Sequence, residues 1–174
     1  MVGARPDLVH IEAIFEVMQQ MMILSEAGTR TTLAIWRALL NGWPTSHRFH
    51  EAPAHCFAGC RGEGAEDSLR HYLRCPRLWF VIKVCTAPPH PPEEPIARLG
   101  CRPCGNLRHR LLQLAVATRV ALCFRLEPHC RTIAINARSA ETRKRLGREL
   151  VSRAREAALD MGGRDFARSP TFAC

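Results

Sequence analysis

The chain has 174 residues, of which 47% are hydrophobic and 6% aromatic, enough apolar material for one ordinary domain or two small ones. The low aromatic content, with 12 Pro and 11 Gly, predicts a mainly α protein of small helical units and no large sheet. The formal net charge of +9 comes almost entirely from arginine, since Lys83 and Lys144 are the only lysines. Guanidinium groups suit phosphate, so nucleic acid is the favoured class of partner, although an arginine-rich surface can also be simply solvated.

The nine cysteines are expected to be reduced, because the segment Met1–Asp7 carries no apolar signal core. An odd cysteine count, with cysteine pairs at metal-like spacing, favours metal binding in a nuclear or cytoplasmic setting over a disulfide framework. The apolar run Leu78–Ile82 is cut off by Lys83, far short of the roughly 18 to 20 residues that cross a bilayer. The sequence therefore predicts no membrane segment.

Two helices are predicted ahead of the cysteines. Apolar residues recur at three- and four-residue steps from Leu8 to Leu24, with Asp7 as the N-cap. A second amphipathic pattern runs from Thr31 or Thr32 to Leu40 and stops at Asn41-Gly42. Residues 1–85 are thus expected to hold N-terminal helices followed by a metal-binding unit at about residues 50–80.

The centre of the chain carries two close pairs of metal-ligand side chains. Their spacing is C-x3-C, ten residues, then H-x3-C, supplied by Cys56, Cys60, His71 and Cys75. Three thiolates and one imidazole are a closed tetrahedral set, which predicts a structural Zn2+ site rather than a catalytic one with an open water position. The alternatives are buried reduced cysteines beside a surface histidine, or His50 or His55 in place of one ligand.

Local signals around these ligands predict how they converge. Gly59 lets the first loop fold back without steric cost, and Glu66-Asp67-Ser68 is a strong helix start. His71 and Cys75, four residues apart, are then expected on one helical face, one turn apart. Pro76 should end or kink that helix and begin the next piece.

A proline-rich stretch is the clearest boundary in the chain. Five prolines between Thr86 and Pro95 predict an extended spacer, which with the C-x2-C loop of Cys101 and Cys104 makes up residues 86–105. That loop lacks an obvious second ligand pair, so it is either a partial second metal site or a helix-capping loop with free thiols.

Residues 106–161 are predicted to form a helical hairpin with a basic face, and residues 162–174 a tail. A strongly apolar pattern from Leu107 ends before Pro128 and indicates a buried helix. One long helix or two should follow between Arg131 and Met161, closed by Gly162-Gly163. Its charged side is either a solvated face with i,i+4 ion pairs or, around residues 143–148, a phosphate-binding one.

Three segments of the chain together resemble part of a known protein family. They are Ile35-Trp36 through Asn41-Gly42-Trp43-Pro44-Thr45, the pair Cys56 and Cys60, and Glu66-Asp67-Ser68 to His71, Cys75 and Trp79. This stretch resembles the zinc-binding region that lies C-terminal to the polymerase in non-LTR (LINE-type) retrotransposon reverse transcriptases. The likeness covers about 45 of the 174 residues. The ten-residue middle spacing is longer than is usual in these sites, and the polymerase's aromatic-x-Asp-Asp signature is absent.

The resemblance implies that the chain is an accessory module, a fragment or remnant of a reverse transcriptase. Such a module would bind RNA, or single-stranded or target DNA, near the polymerase domain of a parent polyprotein. Without an Asp-Asp pair the chain is not expected to be an enzyme. Phosphate contacts without sequence reading are expected from basic residues near the zinc and on the last helix. These are Arg70, Arg74, Arg77, Arg143, Lys144, Arg145 and Arg148.

Two other functions stay open. A zinc-stapled protein interaction module would use the apolar helix at 107 to 127 to dock a partner, with the basic face only solvated. A Cys/His nucleophile is a weaker candidate, because no pattern places a thiol beside a base and a third orienting group.

Overall fold

The computed structural model describes residues 29–40, 42–43, 45–46, 49–51, 54–88, 90–98 and 107–167. The helix predicted at residues 8–24 and the loop with Cys101 and Cys104 lie outside these ranges. The described part is mainly α, as the sequence predicted, around a Cys3His cluster. Its helices are α1 (Thr29–Leu39), α2 (Leu69–Tyr72), α3 (Pro76–Cys85), α4 (Pro95–Arg98), α5 (Leu107–Leu126), α6 (Pro128–Ile135) and α7 (Ala140–Phe166).

No strand forms in these ranges, where two isolated antiparallel bridges join His55 to Glu66 and Thr86 to Ala167. Helix α1 begins at Thr29, slightly earlier than predicted. None of the described helices combines the length and the apolar character that crossing a bilayer requires.

The predicted placement of His71 and Cys75 on one helical face is wrong. Helix α2 is a single turn that Ser68 begins by accepting a hydrogen bond from the His71 backbone N–H at 3.2 Å. Cys75 lies beyond its end and is the N-cap of α3, with φ −57° and ψ 110°. The cause is Pro76, whose ring disfavours a helical conformation at the residue before it. The other half of the prediction is confirmed, because Pro76 is the first residue of α3.

Helix α5 is the centre of the described fold. From Arg110 to Phe124 every side chain is buried except that of Arg119. Helices α1, α6 and α7 pack around it, and α3 also contacts it. The predicted burial of this helix is therefore confirmed, and it ends before Pro128 as expected. Because its partners are the chain's own helices, α5 does not offer the apolar docking face that the interaction-module alternative needs.

The segment from Arg131 to Met161 is divided between two helices, α6 and α7. Ser139 starts α7 with a capping box, in which its side chain accepts from the Thr142 backbone N–H and the Thr142 hydroxyl accepts from the Ser139 N–H. Gly163, with φ 73°, breaks the helical conformation near the predicted end. The chain then continues to Ala167, which bridges to Thr86, so this part of the predicted tail is paired.

One buried hydrophobic cluster includes residues from both sides of the proline-rich stretch. Helix α3 packs against α7, and Arg98 of α4 stacks on the Trp79 ring at 4.7 Å. Arg98 also donates to the carbonyl oxygens of Leu73 and Pro92. The central unit and the C-terminal helices therefore share one core, and the proline-rich segment runs along its surface.

Candidate metal centre and basic groove

The four predicted ligands form one group. The ligand atoms of Cys56, Cys60, His71 and Cys75 all lie within 4.8 Å of one another, and this is the group able to hold a metal ion among the described residues. Cys56 and Cys75 are buried, while Cys60 and His71 are partly exposed at the edge. His50 and His55 are both exposed and are not members of the group.

The sulfur spacing fits a tetrahedral metal. The Sγ of Cys75 lies 3.7 Å from that of Cys56 and 3.5 Å from that of Cys60. A zinc–sulfur distance of about 2.3 Å in a regular tetrahedron requires sulfur atoms about 3.7 to 3.8 Å apart. Both distances from Cys75 therefore match this spacing, and the remaining distances within the group are all within 4.8 Å.

The histidine of the group has an unused nitrogen. Nε2 of His71 is buried and has no hydrogen-bond partner. A buried polar nitrogen without a partner costs about 1 to 3 kcal/mol, so its environment should supply one. A metal ion held by the three neighbouring sulfurs is the partner that the residues present can provide.

The crowded thiols favour protonated sulfur as long as no metal is bound. The hydrogen bond with Cys75 and burial raise the pKa of the Cys60 thiol. Contact with Cys56 and burial raise the pKa of Cys75 to about 12. Since a metal binds thiolates, loading must expel these protons, and metal affinity should fall as the pH falls.

Backbone groups around Cys75 suit a thiolate. Its Sγ accepts a hydrogen bond from the Leu78 N–H at 3.4 Å and lies at the N-terminus of α3. Both features stabilise negative charge on sulfur. Such contacts around the ligands orient them and tune the metal.

A separate network of buried hydrogen bonds surrounds α2, the helix that carries His71. The buried carboxylate of Asp67 accepts a hydrogen bond from the Ser46 backbone N–H at 2.6 Å and another from the Tyr72 hydroxyl. The Tyr72 carbonyl in turn accepts from the Trp79 indole N–H at 2.9 Å. The last of these bonds joins α2 to α3, the helix that follows Cys75. Asp67 was seen in the sequence only as part of a helix start.

Gly59 joins the metal loop, residues 56–66, to the helices beside it. Its φ is 79°, and an added Cβ would lie 3.0 Å from Arg77 Nη1 and 3.0 Å from Leu146 Cδ2. Arg77 donates to the Ala58 carbonyl at 3.3 Å, and Arg61 donates to the Ala137 carbonyl at 3.0 Å. The metal loop is therefore packed between α3 and the start of α7.

A groove of about 1080 Å³ lies beside the metal loop, between α3 and α7. Its charged lining consists of four cations, Arg77, Arg143, Lys144 and Arg148, and one carboxylate, Glu141. Glu141 lies 3.5 Å from Arg148, but both side chains are about three-quarters exposed, so this ion pair holds the guanidinium only weakly. The groove is therefore strongly positive.

The structure divides the predicted phosphate-binding residues into two sets. Those four cations, which come from α3 and α7, meet in the groove. Arg70, Arg74 and Arg145 are exposed but do not line it. Arg145 follows Arg143 by two residues, or about 200° around the helix, and is not among the lining residues. The sequence pattern did not single out Phe80 or Gly147, which also line the groove.

Comparison with protein-family models, with curated proteins and with solved structures finds no match to this chain.

Proposed function

We propose that the protein is a zinc-stabilised module that binds RNA or DNA without reading sequence, and that it serves as the accessory region of a retroelement reverse transcriptase. The observation that supports nucleic-acid binding is that Arg77 and three cations of α7 line the same groove. Four such cations at one surface favour a polyanion whose charges are regularly spaced, as phosphates are in nucleic acid.

Zinc is proposed as the metal because three cysteines and one histidine form its usual structural ligand set. Its role is to hold shape. The metal loop contacts Arg77 and the side chain of Leu146, so ordering the loop also orders the groove wall. No carboxylate belongs to the cluster, and the closed shell leaves no ligand position for a substrate.

The link to reverse transcriptases rests on the sequence resemblance. It covers the order of the ligands, the turn before them and the aromatic residue after them. A polymerase domain of the same parent protein is the proposed partner, and the module is proposed to hold template or target near it. Polymerase activity itself is not proposed for this chain.

The protein-interaction alternative has less support. The helix that would dock a partner, α5, is already covered by α1, α6 and α7. The exposed large apolar residues of the described part, such as Leu126, Ile135 and Leu159, belong to three different helices.

A salt titration with charge-matched variants tests the binding. The groove variant combines Arg143→Ala, Lys144→Ala and Arg148→Ala. The control removes three exposed arginines that lie outside the groove, Arg119, Arg131 and Arg138, by the same substitution. Four phosphate contacts with a single strand predict a slope of about −3 for the logarithm of the binding constant against the logarithm of the salt concentration. The groove variant should lose about two units of this slope.

The control variant should keep most of the wild-type slope, although it carries the same net charge as the groove variant. Equal weakening of both variants would indicate only general attraction by a basic protein. A salt-independent affinity, or no binding to any nucleic acid, would overturn the proposed function.

A further inference from the structure

Phe80 is an exposed aromatic ring that lines the basic groove. It is 62% exposed, more than any other described aromatic side chain. Its neighbours on α3 behave differently, since Leu78, Trp79 and Ile82 are all buried. Leaving a phenylalanine this exposed gives up most of its hydrophobic burial, so the exposure is a cost to the folded protein.

Cations of both helices line the groove together with this ring. Arg77 is one turn before Phe80 on α3, and Arg143, Lys144 and Arg148 come from α7. An aromatic ring in a groove lined by cations is the combination that proteins use for unpaired nucleotides, in which a base stacks on the ring and the phosphates meet the charges.

The groove is open at Gly147, one of its lining residues. Glycine is unfavourable relative to alanine inside a helix such as α7. Apart from its chain neighbours and the nearby backbone of its own helix, a Cβ added there would meet no atom within 4 Å. This open position lies beside Arg148 and one turn after Arg143, which also line the groove.

We propose that the groove between α3 and α7 binds a single-stranded nucleic acid segment and that an unpaired base of it stacks on Phe80. This inference rests on the proposed function and names the form of its ligand. A base inside a duplex is covered on both faces by its neighbours, so it could reach the ring only after unstacking, which costs free energy. The groove should therefore prefer single strands.

The test compares four probes of equal length by fluorescence anisotropy: single-stranded RNA, oligo-dT, an oligo-dT strand with abasic sites in the middle, and duplex DNA. The abasic strand keeps every phosphate and lacks only the bases. Stacking predicts that the wild-type protein binds oligo-dT roughly 5- to 150-fold more tightly than the abasic strand. Duplex DNA should also bind more weakly than oligo-dT.

Three substitutions at Phe80 separate stacking from simple apolar contact. Phe80→Leu keeps the bulk without a π face and should lower oligo-dT affinity to the level of the abasic strand. Phe80→Trp should keep or improve the affinity, and quenching of its added indole fluorescence by the base would report the stack directly. Phe80→Ala should resemble Phe80→Leu. Because the ring is exposed, helicity and metal content should not change in any of them.

The possible outcomes distinguish this inference from the proposed function. If the groove charge variant weakens every probe, but oligo-dT, the abasic strand and the duplex bind equally, the module binds phosphate and the stacking proposal fails. If Phe80→Leu binds oligo-dT as well as the wild type does, the proposal fails as well. If no probe binds at all, the proposed function fails with it.

Discussion

Removing one metal ligand tests the role of the cluster most directly. The perturbation is His71→Asn or Cys60→Ser, each of which deletes one ligand at the more exposed edge of the site. Purified wild-type protein should contain about one equivalent of zinc, and each variant should contain clearly less. Two substitutions serve as matched controls, because His90 and Cys123 lie outside the cluster: His90→Asn and Cys123→Ala.

How much the metal stabilises residues 56–66 follows from the contacts that this segment makes. Ordering these eleven residues costs about 10 to 20 kcal/mol of conformational entropy. Seven hydrogen bonds tie the segment to itself and to its neighbours, and they return about 1 kcal/mol each. Burial of Ala58 and Ala65 and the packing of Phe57 against two aromatic rings return roughly 3 kcal/mol more. A deficit of up to about 10 kcal/mol remains, which the roughly 10 to 16 kcal/mol that a structural zinc provides would offset. The segment should therefore lose its order without the metal.

The assay is hydrogen exchange followed peptide by peptide, together with metal analysis. In excess chelator, or in either ligand variant, protection should be lost across residues 54–75. Peptides from α5 should keep more of their protection, because that helix is buried by α1, α6 and α7. Full protection of residues 54–75 with the metal removed would refute the structural role. Unchanged zinc content in both ligand variants would refute the assignment of the ligands.

Three further predictions concern stability, each measured by chemical denaturation. Gly59→Ala should destabilise the protein by about 1 to 2 kcal/mol, because its φ of 79° is left-handed and an added Cβ would lie 3.0 Å from Leu146; an unchanged midpoint would contradict this. Gly147→Ala should instead stabilise by about 1 kcal/mol, because its Cβ would meet nothing within 4 Å, and a loss of stability would show that the site is not open. Burial raises the pKa of the Cys85 thiol from 9.0 to about 11. The protonated thiol therefore contributes to the stability of the folded protein below pH 9, and this contribution is lost as the pH rises towards 11. Cys85→Ala should therefore reduce the alkaline loss of stability, and an equally steep loss in the variant would point to other groups.

Several elements could be predicted because their signals are local. The ligand spacing, the Ser68 cap, the start of α3 at Pro76 and the end of α5 before Pro128 all depend on residues within a few positions of each other. The one local prediction that failed, His71 and Cys75 on one helix, overlooked the restriction that Pro76 imposes on the residue before it.

The Cys3His group shows what the sequence by itself determined: four ligands of the right type in two close pairs, whose chemistry requires them to converge if a metal is bound. Only the tertiary structure decided where the positive charges meet. Arg143 and Arg145 look equivalent in the sequence, yet one lines the groove and the other does not. The structure also selected Phe80, because its surroundings depend on how α7 packs against α3, and packing between helices 60 residues apart leaves no periodic signal in either one.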